Sequence, residues 1–168
     1  MPRELFEQLV REEFPTAIPE QFRGKIKNVA FLIEDTPSEA LRREEGLSSN
    51  QTLLGHYRGI PHTARGDHYG MYPTMPDTIT LFAVPILQEA WALAQAEGWH
   101  DETSIAQHDG ASIANFQQEI MRGGRVMPPE AYVRKVIRDT IWHEVFHHFG
   151  ADESAVRKRE AQRQNEIY

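Results

Sequence analysis

His143-Glu144-Val145-Phe146-His147-His148-Phe149-Gly150 reads H-E-x-x-H, followed by H-F-G. Four residues along an α-helix bring the chain to within about 40° of its starting direction, so His143 and His147 leave the same face. Two imidazoles so placed can give two nitrogen ligands to one metal ion. A glutamate beside the first histidine can then reach a water held there and take its proton. So short a pattern also arises by chance, on a partly buried helix whose polar residues are merely solvated, and the flanks have to decide. They read PPEAYVRKVIRDTIWHEVFHHF over residues 128–149. Two prolines suit a helix N-terminus, and Glu130 falls in the first turn, where negative charge is favoured. Val133, Ile137, Ile141, Val145 and Phe149 form an i, i+4 apolar stripe, the core face of an amphipathic helix. Val136, Thr140, His143 and His147 form the neighbouring stripe, which puts the histidines beside the core rather than out in solvent. Gly150 stands where a helix C-terminal glycine lets the backbone turn sharply.

A catalytic zinc takes three protein ligands and keeps one position open, and two histidines plus a carboxylate is an accepted set. Glu153 lies at the spacing of the third ligand in the long form of the motif, H-E-x-x-H-x-x-G-x-x-E. Asp152 competes with it, although an aspartate there can instead cap a following helix. Glu166 lies nineteen residues after His147, similar to the spacing in gluzincin peptidases, and would serve if the tail folded back. His148 points about 100° away from His147 and reads as a hydrogen-bonding or interface residue. His56, His62, His68, His100 and His108 are isolated along the chain and are given no metal role.

The remaining composition narrows the class. A chain of 168 residues is expected to form one domain over 1–168 with a sizeable core. Hydrophobic content of 40% and charged content of 26% are ordinary for a soluble globular protein. A net charge of -7 argues against a nucleic-acid partner, which needs concentrated Lys and Arg. The chain has no cysteine, hence no thiolate ligand and no disulfide. MPRELFEQLVREEF at the start lacks the apolar core of a signal peptide, and no run reaches membrane-span length. A cytoplasmic protein without membrane contact is the simplest expectation.

Along the chain, Leu5, Phe6, Leu9, Val10 and Phe14 predict a helix over 3–14, ended by Pro15. Residues 26–35, IKNVAFLIED, predict a first strand. A short helix follows from Pro37-Ser38-Glu39 to about Glu45, closed by Gly46. Residues 53–61 predict a short strand running into a long polar and aromatic loop over 61–77. TITLFAVPI, 78–86, predicts the second main strand, with a helix over 85–98 after it. A further helical spacing covers about 111–122, and the charged tail from Asp152 to Ile167 predicts another helix.

Taken together, FEQLV (6–10), NVAFLIED (28–35), LLGHYRGIPHTAR (53–65), PDTITLFAVPI (76–86) and HEVFHHFGADE (143–153) resemble, in order, the small bacterial zincin-like, matrix-metalloproteinase-like metallopeptidases. The resemblance implies an α+β fold, a minimal zincin-like domain whose short mixed sheet packs on an N-terminal helix and on the H-E-x-x-H helix. It implies one Zn2+ on His143, His147 and Glu153, with Glu144 as general base and a peptide or protein as substrate. The TITLFAVPI strand is similar to the sheet-edge element over such a site, where an extended peptide can add as a further strand. Tyr57, Arg58, His62 and Tyr69 are candidates for stabilising an oxyanion. The chain departs from the family core in an insertion at about 98–127 and a C-terminal helical tail at about 154–168. No methionine follows the motif, the last being Met127, so a Met-turn downstream of it is impossible. Two rivals remain at this point. One is a metal-binding protein with no hydrolytic activity. The other is a metal-dependent ribonuclease of the H-x-x-x-H-x-x-G-x-x-H type, which asks for a basic face and a third histidine.

Overall fold

The computed structural model describes residues 1–26, 28–65, 75–99 and 128–166. Within them the elements run α1 (Arg3–Ala17), α2 (Glu20–Arg23), β1 (Val29–Glu34), α3 (Glu39–Glu44), β2 (Gly55–Arg58), a 3-10 turn (His62–Ala64), β3 (Asp77–Phe82), α4 (Ala83–Ala96), α5 (Glu130–His148) and α6 (Glu153–Glu166). This is an α+β domain with a three-stranded mixed sheet. β3 lies in the middle, parallel to β1 and antiparallel to β2.

α5 is the element on which the rest is packed. Its apolar stripe holds, since Val133, Ile137 and Ile141 are fully buried and Val145 nearly so. They meet Phe6, Leu9 and Val10 of α1, Ile79 and Leu81 of β3, and Ile86 and Ala90 of α4 in one continuous core. Side chains of this size each contribute about 1.5–3 kcal/mol on burial, which is what fixes the rotation of α5 about its axis. Arg134 adds a polar strap from α5 to α1, donating to Glu13 at 3.0 Å and to Glu12 at 2.6 Å.

Three boundaries differ from the sequence expectation, each for a local reason. Pro15 does not end α1, which continues to Ala17. The hydrogen bond it omits would have gone to the carbonyl of exposed Arg11, where water can replace it. β3 stops at Phe82 and α4 begins at Ala83, so Val84, Pro85 and Ile86 are helical. Proline as the third helical residue costs no hydrogen bond, because first-turn N–H groups have no partner within the helix. The TITLFAVPI stretch is not the sheet edge. Ile79, Leu81 and Phe82 are all fully buried, and β3 is paired along both of its edges, with β1 on one side and β2 on the other. The edge beside α5 is β2.

Candidate active site

The end of α5 builds the site. Gly150 N–H donates to His147 O at 2.9 Å, and Ala151 N–H to Phe146 O at 3.1 Å, with φ of 88° at Gly150. This is the Schellman ending that only glycine adopts at low cost, and a Cβ there would also run into Thr63. The reversal carries the Ala151 carbonyl to 3.0 Å from His147 Nδ1. A carbonyl can only accept, so Nδ1 bears the hydrogen and Nε2 of the neutral ring presents its lone pair. Asp152 then caps α6, its Oδ1 accepting from Ala155 N–H at 2.8 Å. Val156, at the end of the first turn of α6, is fully buried. Glu153, in that first turn, is thereby turned back toward the histidines.

The three donor atoms form a small triangle. His143 Nε2 and His147 Nε2 are 3.1 Å apart, and Glu153 Oε2 is 3.4 Å from the first and 3.5 Å from the second. Ligand bonds of about 2.0–2.1 Å at tetrahedral angles would separate neighbouring donors by about 3.3 Å, so the donor set fits a zinc ion. Among the described residues this is the group of His, Asp and Glu that could hold a metal. Arg157 donates to Glu153 Oε1 at 2.8 Å and, as the largest cause, holds that carboxyl below its usual pKa. Glu153 therefore keeps its negative charge while Oε2 faces the imidazoles. Glu166 stands at the other end of α6, about 20 Å along its axis at 1.5 Å per residue, so the tail does not fold back.

Glu144 sits beside the triangle and is 6% exposed. Burial pushes its carboxyl up to about 7. The neighbouring His143 and a hydrogen bond from the Tyr57 backbone N–H oppose that rise, while Glu153 and Glu45 add to it. β2 can lie this close because residue 55 is glycine. A Cβ there would come within 2.8 Å of Glu144 Cγ and Oε1 and 2.9 Å of Thr140 Cγ2. Gly55→Ala is therefore expected to displace Glu144 while leaving His143, His147 and Glu153 in place. If Glu144 takes a proton in a metal-assisted reaction here, the rate should fall roughly 10–100-fold at unchanged metal content. Parallel elemental analysis and rate measurement check this, and equal losses of metal and rate would contradict it.

The edge strand alternates. Gly55 and Tyr57 face α5, while His56 pairs with Glu45 at 3.4 Å and Arg58 with Glu44 at 3.0 Å on the α3 side. Arg58 is thus directed away from the triangle. Tyr57 offers its backbone N–H to Glu144, but its hydroxyl is committed to Asp77 at 2.9 Å, and burial followed by that bond raises its pKa. His56 is not isolated as expected; it lines a cavity of about 480 Å³ together with Glu45, Glu144, His143, His147 and Glu153. The His62 and Glu166 side chains, and all of His68, Tyr69, His100, His108 and the segment 111–122, lie outside the described residues.

Sequence reasoning missed one residue that organises this region. Asp77, 3% exposed, heads β3 and accepts from four directions. Its partners are the Tyr57 hydroxyl, the Ile60 N–H at 3.3 Å, the Arg65 guanidinium and His148 Nδ1 at 3.0 Å. His148 is fully buried and holds α5 to the sheet, one residue from His147. Arg65 also comes within 3.5 Å of His148 Nδ1, a contact best read as two donors converging on one carboxylate. The sequence reading places Asp77 at the end of the loop over 61–77, whereas it is the first residue of the central strand.

A family model described as zincin-like metallopeptidase matches the chain over residues 26–106 and 99–163. No curated protein matches it. Among the described residues no helix is long and apolar enough to cross a membrane.

Proposed function

Because the chain belongs to the zincin-like metallopeptidase family, we propose that it hydrolyses peptide bonds with one zinc ion held by His143, His147 and Glu153. The observation that carries this reading is the donor triangle with a buried carboxylate, Glu144, beside it. A zinc ion bound there supplies Lewis-acid polarisation of the scissile carbonyl and makes water more acidic. The chain's own groups do the rest. Glu144 takes a proton from the attacking water as its oxygen bonds to the carbonyl carbon. It then gives that proton to the amide nitrogen as the carbon–nitrogen bond breaks. The Tyr57 N–H orients the carboxylate for both transfers. The Ala151 carbonyl keeps His147 in the ligating tautomer.

Peptide rather than RNA is favoured by the charge of the cleft. Glu45, Glu144, Asp152 and Glu153 line it, and its lining includes neither Lys nor Arg among the described residues. Phosphate backbones need the opposite. We expect a peptide or protein substrate and no nucleic-acid partner.

The test is metal-dependent cleavage. Purified protein should contain close to one equivalent of zinc and cleave unstructured peptides, and a chelator should abolish cleavage and lower the melting temperature. Metal-free protein with unchanged stability and activity would defeat the assignment. Glu153→Gln should weaken zinc binding by at least about 100-fold, more than loss of a mere outer partner of a ligand. Asp152→Asn should leave zinc affinity alone and at most weaken a helix cap. If the two variants exchange these behaviours in a competitive chelator titration, Asp152 is the ligand and Glu153 is not.

A further inference from the structure

A second cavity, of about 370 Å³, opens on the other side of Glu144. It lies between α4, α5 and the chain entering β2, and it shares His143 and Glu144 with the main cleft. A peptide whose scissile bond is at Glu144 therefore has a side chain at the mouth of this cavity. Its walls are apolar where Leu54, Leu93 and Val136 line it. Its charge is unbalanced. Lys135 is paired with Asp139 at 3.0 Å, which leaves two acidic residues in excess among the described residues lining it, buried Glu144 at the mouth and exposed Glu89 beyond it.

Resting on the peptidase reading above, we propose that this cavity receives a lysine or arginine side chain of the substrate, its aliphatic stem against Leu54, Leu93 and Val136 and its cationic head toward Glu89. The shape of the match is that of an amphipathic side chain, which buries methylenes while its charge stays near water and an opposite charge. The main cleft works in the same direction. Its carboxylates Glu45 and Asp152 repel acidic peptides and raise the local concentration of basic ones.

The experiment compares capped peptides that differ at one position beside the scissile bond, carrying lysine, norleucine or glutamate. Norleucine keeps the four-carbon stem and omits the charge. Binding is measured by calorimetry to zinc-loaded protein carrying Glu144→Gln, so that no turnover is needed, and cleavage is measured with the unaltered protein. The lysine peptide should bind about tenfold more tightly than the norleucine peptide, as expected for a charge-assisted contact, with glutamate weakest. Adding Glu89→Gln should remove most of the lysine advantage and leave norleucine binding and zinc content as they were. Equal binding of lysine and norleucine, no binding of the lysine peptide, or a lysine advantage indifferent to Glu89→Gln would overturn the assignment. Lysine-selective binding without any cleavage would instead overturn the peptidase reading and uphold the cavity's preference.

Discussion

Glu144→Gln is expected to lower peptide cleavage by about a thousandfold while zinc content stays at that of the unaltered protein. Positioned general acid–base groups contribute roughly 10²–10⁴ in rate, and Glu144 would serve twice, first as base and then as acid. Glutamine keeps the shape of the side chain and a carbonyl oxygen that can still accept from the Tyr57 N–H. It does not accept the proton of the attacking water. The variant also separates mechanism from folding. Burial is the largest cause of the raised Glu144 pKa, so the same burial makes the ionised carboxylate costly to the fold. A neutral amide at this position is therefore expected to leave the melting temperature of the metal-free protein equal or higher. Rate, zinc content and melting temperature measured on one preparation decide the matter. Cleavage that survives the substitution unchanged would remove Glu144 from the chemistry, and with it the mechanism.

What could be read from the chain follows from which interactions are local. The α5 stripe from Val133 to Val145 repeats at helical spacing, so the helix, its buried face and the shared direction of His143 and His147 are all set within nineteen residues. The glycine ending and the capping aspartate lie within the next few positions, and for that reason Glu153 and Asp152 could both be named before their places were known. Which of the two faces the histidines depends on the phase of α6, which the Asp152 cap and the burial of Val156 set together. Sheet order is a different kind of fact. β1 and β3 are joined in register across more than forty residues of chain, and nothing local to TITLFAVPI distinguishes a central strand from an edge. The role of Gly55 was hidden for the same reason: its missing side chain matters because of Glu144, nearly ninety residues further on.

Asp77→Ala is expected to be the most destabilising single substitution in the region of the site. The aspartate is 3% exposed and paired with Arg65, whose side chain is 10% exposed. Removing one member of a buried ion pair leaves the other uncompensated and costs about 3–5 kcal/mol, against about 5–15 kcal/mol for the whole fold. Here the loss also takes the acceptor from the Tyr57 hydroxyl, the Ile60 N–H and His148 Nδ1. The melting temperature should fall by roughly 10 °C, given about 2–4 °C per kcal/mol in domains of this size. Asp77→Asn should be milder, because an amide oxygen still accepts from neutral donors and only the charge opposite Arg65 is lost. Loss of function should exceed loss of fold. Asp77 joins β2 through Tyr57, the following loop through Ile60 and Arg65, and α5 through His148, so it sets the distance between the edge strand and the helix that carries His143 and His147. At a temperature where the Asn variant remains folded by circular dichroism, its zinc affinity and cleavage rate should already be reduced. Denaturant titrations showing less than about 1 kcal/mol of destabilisation for Asp77→Ala, the range of an exposed ion pair, would mean that this carboxylate is not the tie between sheet and helix.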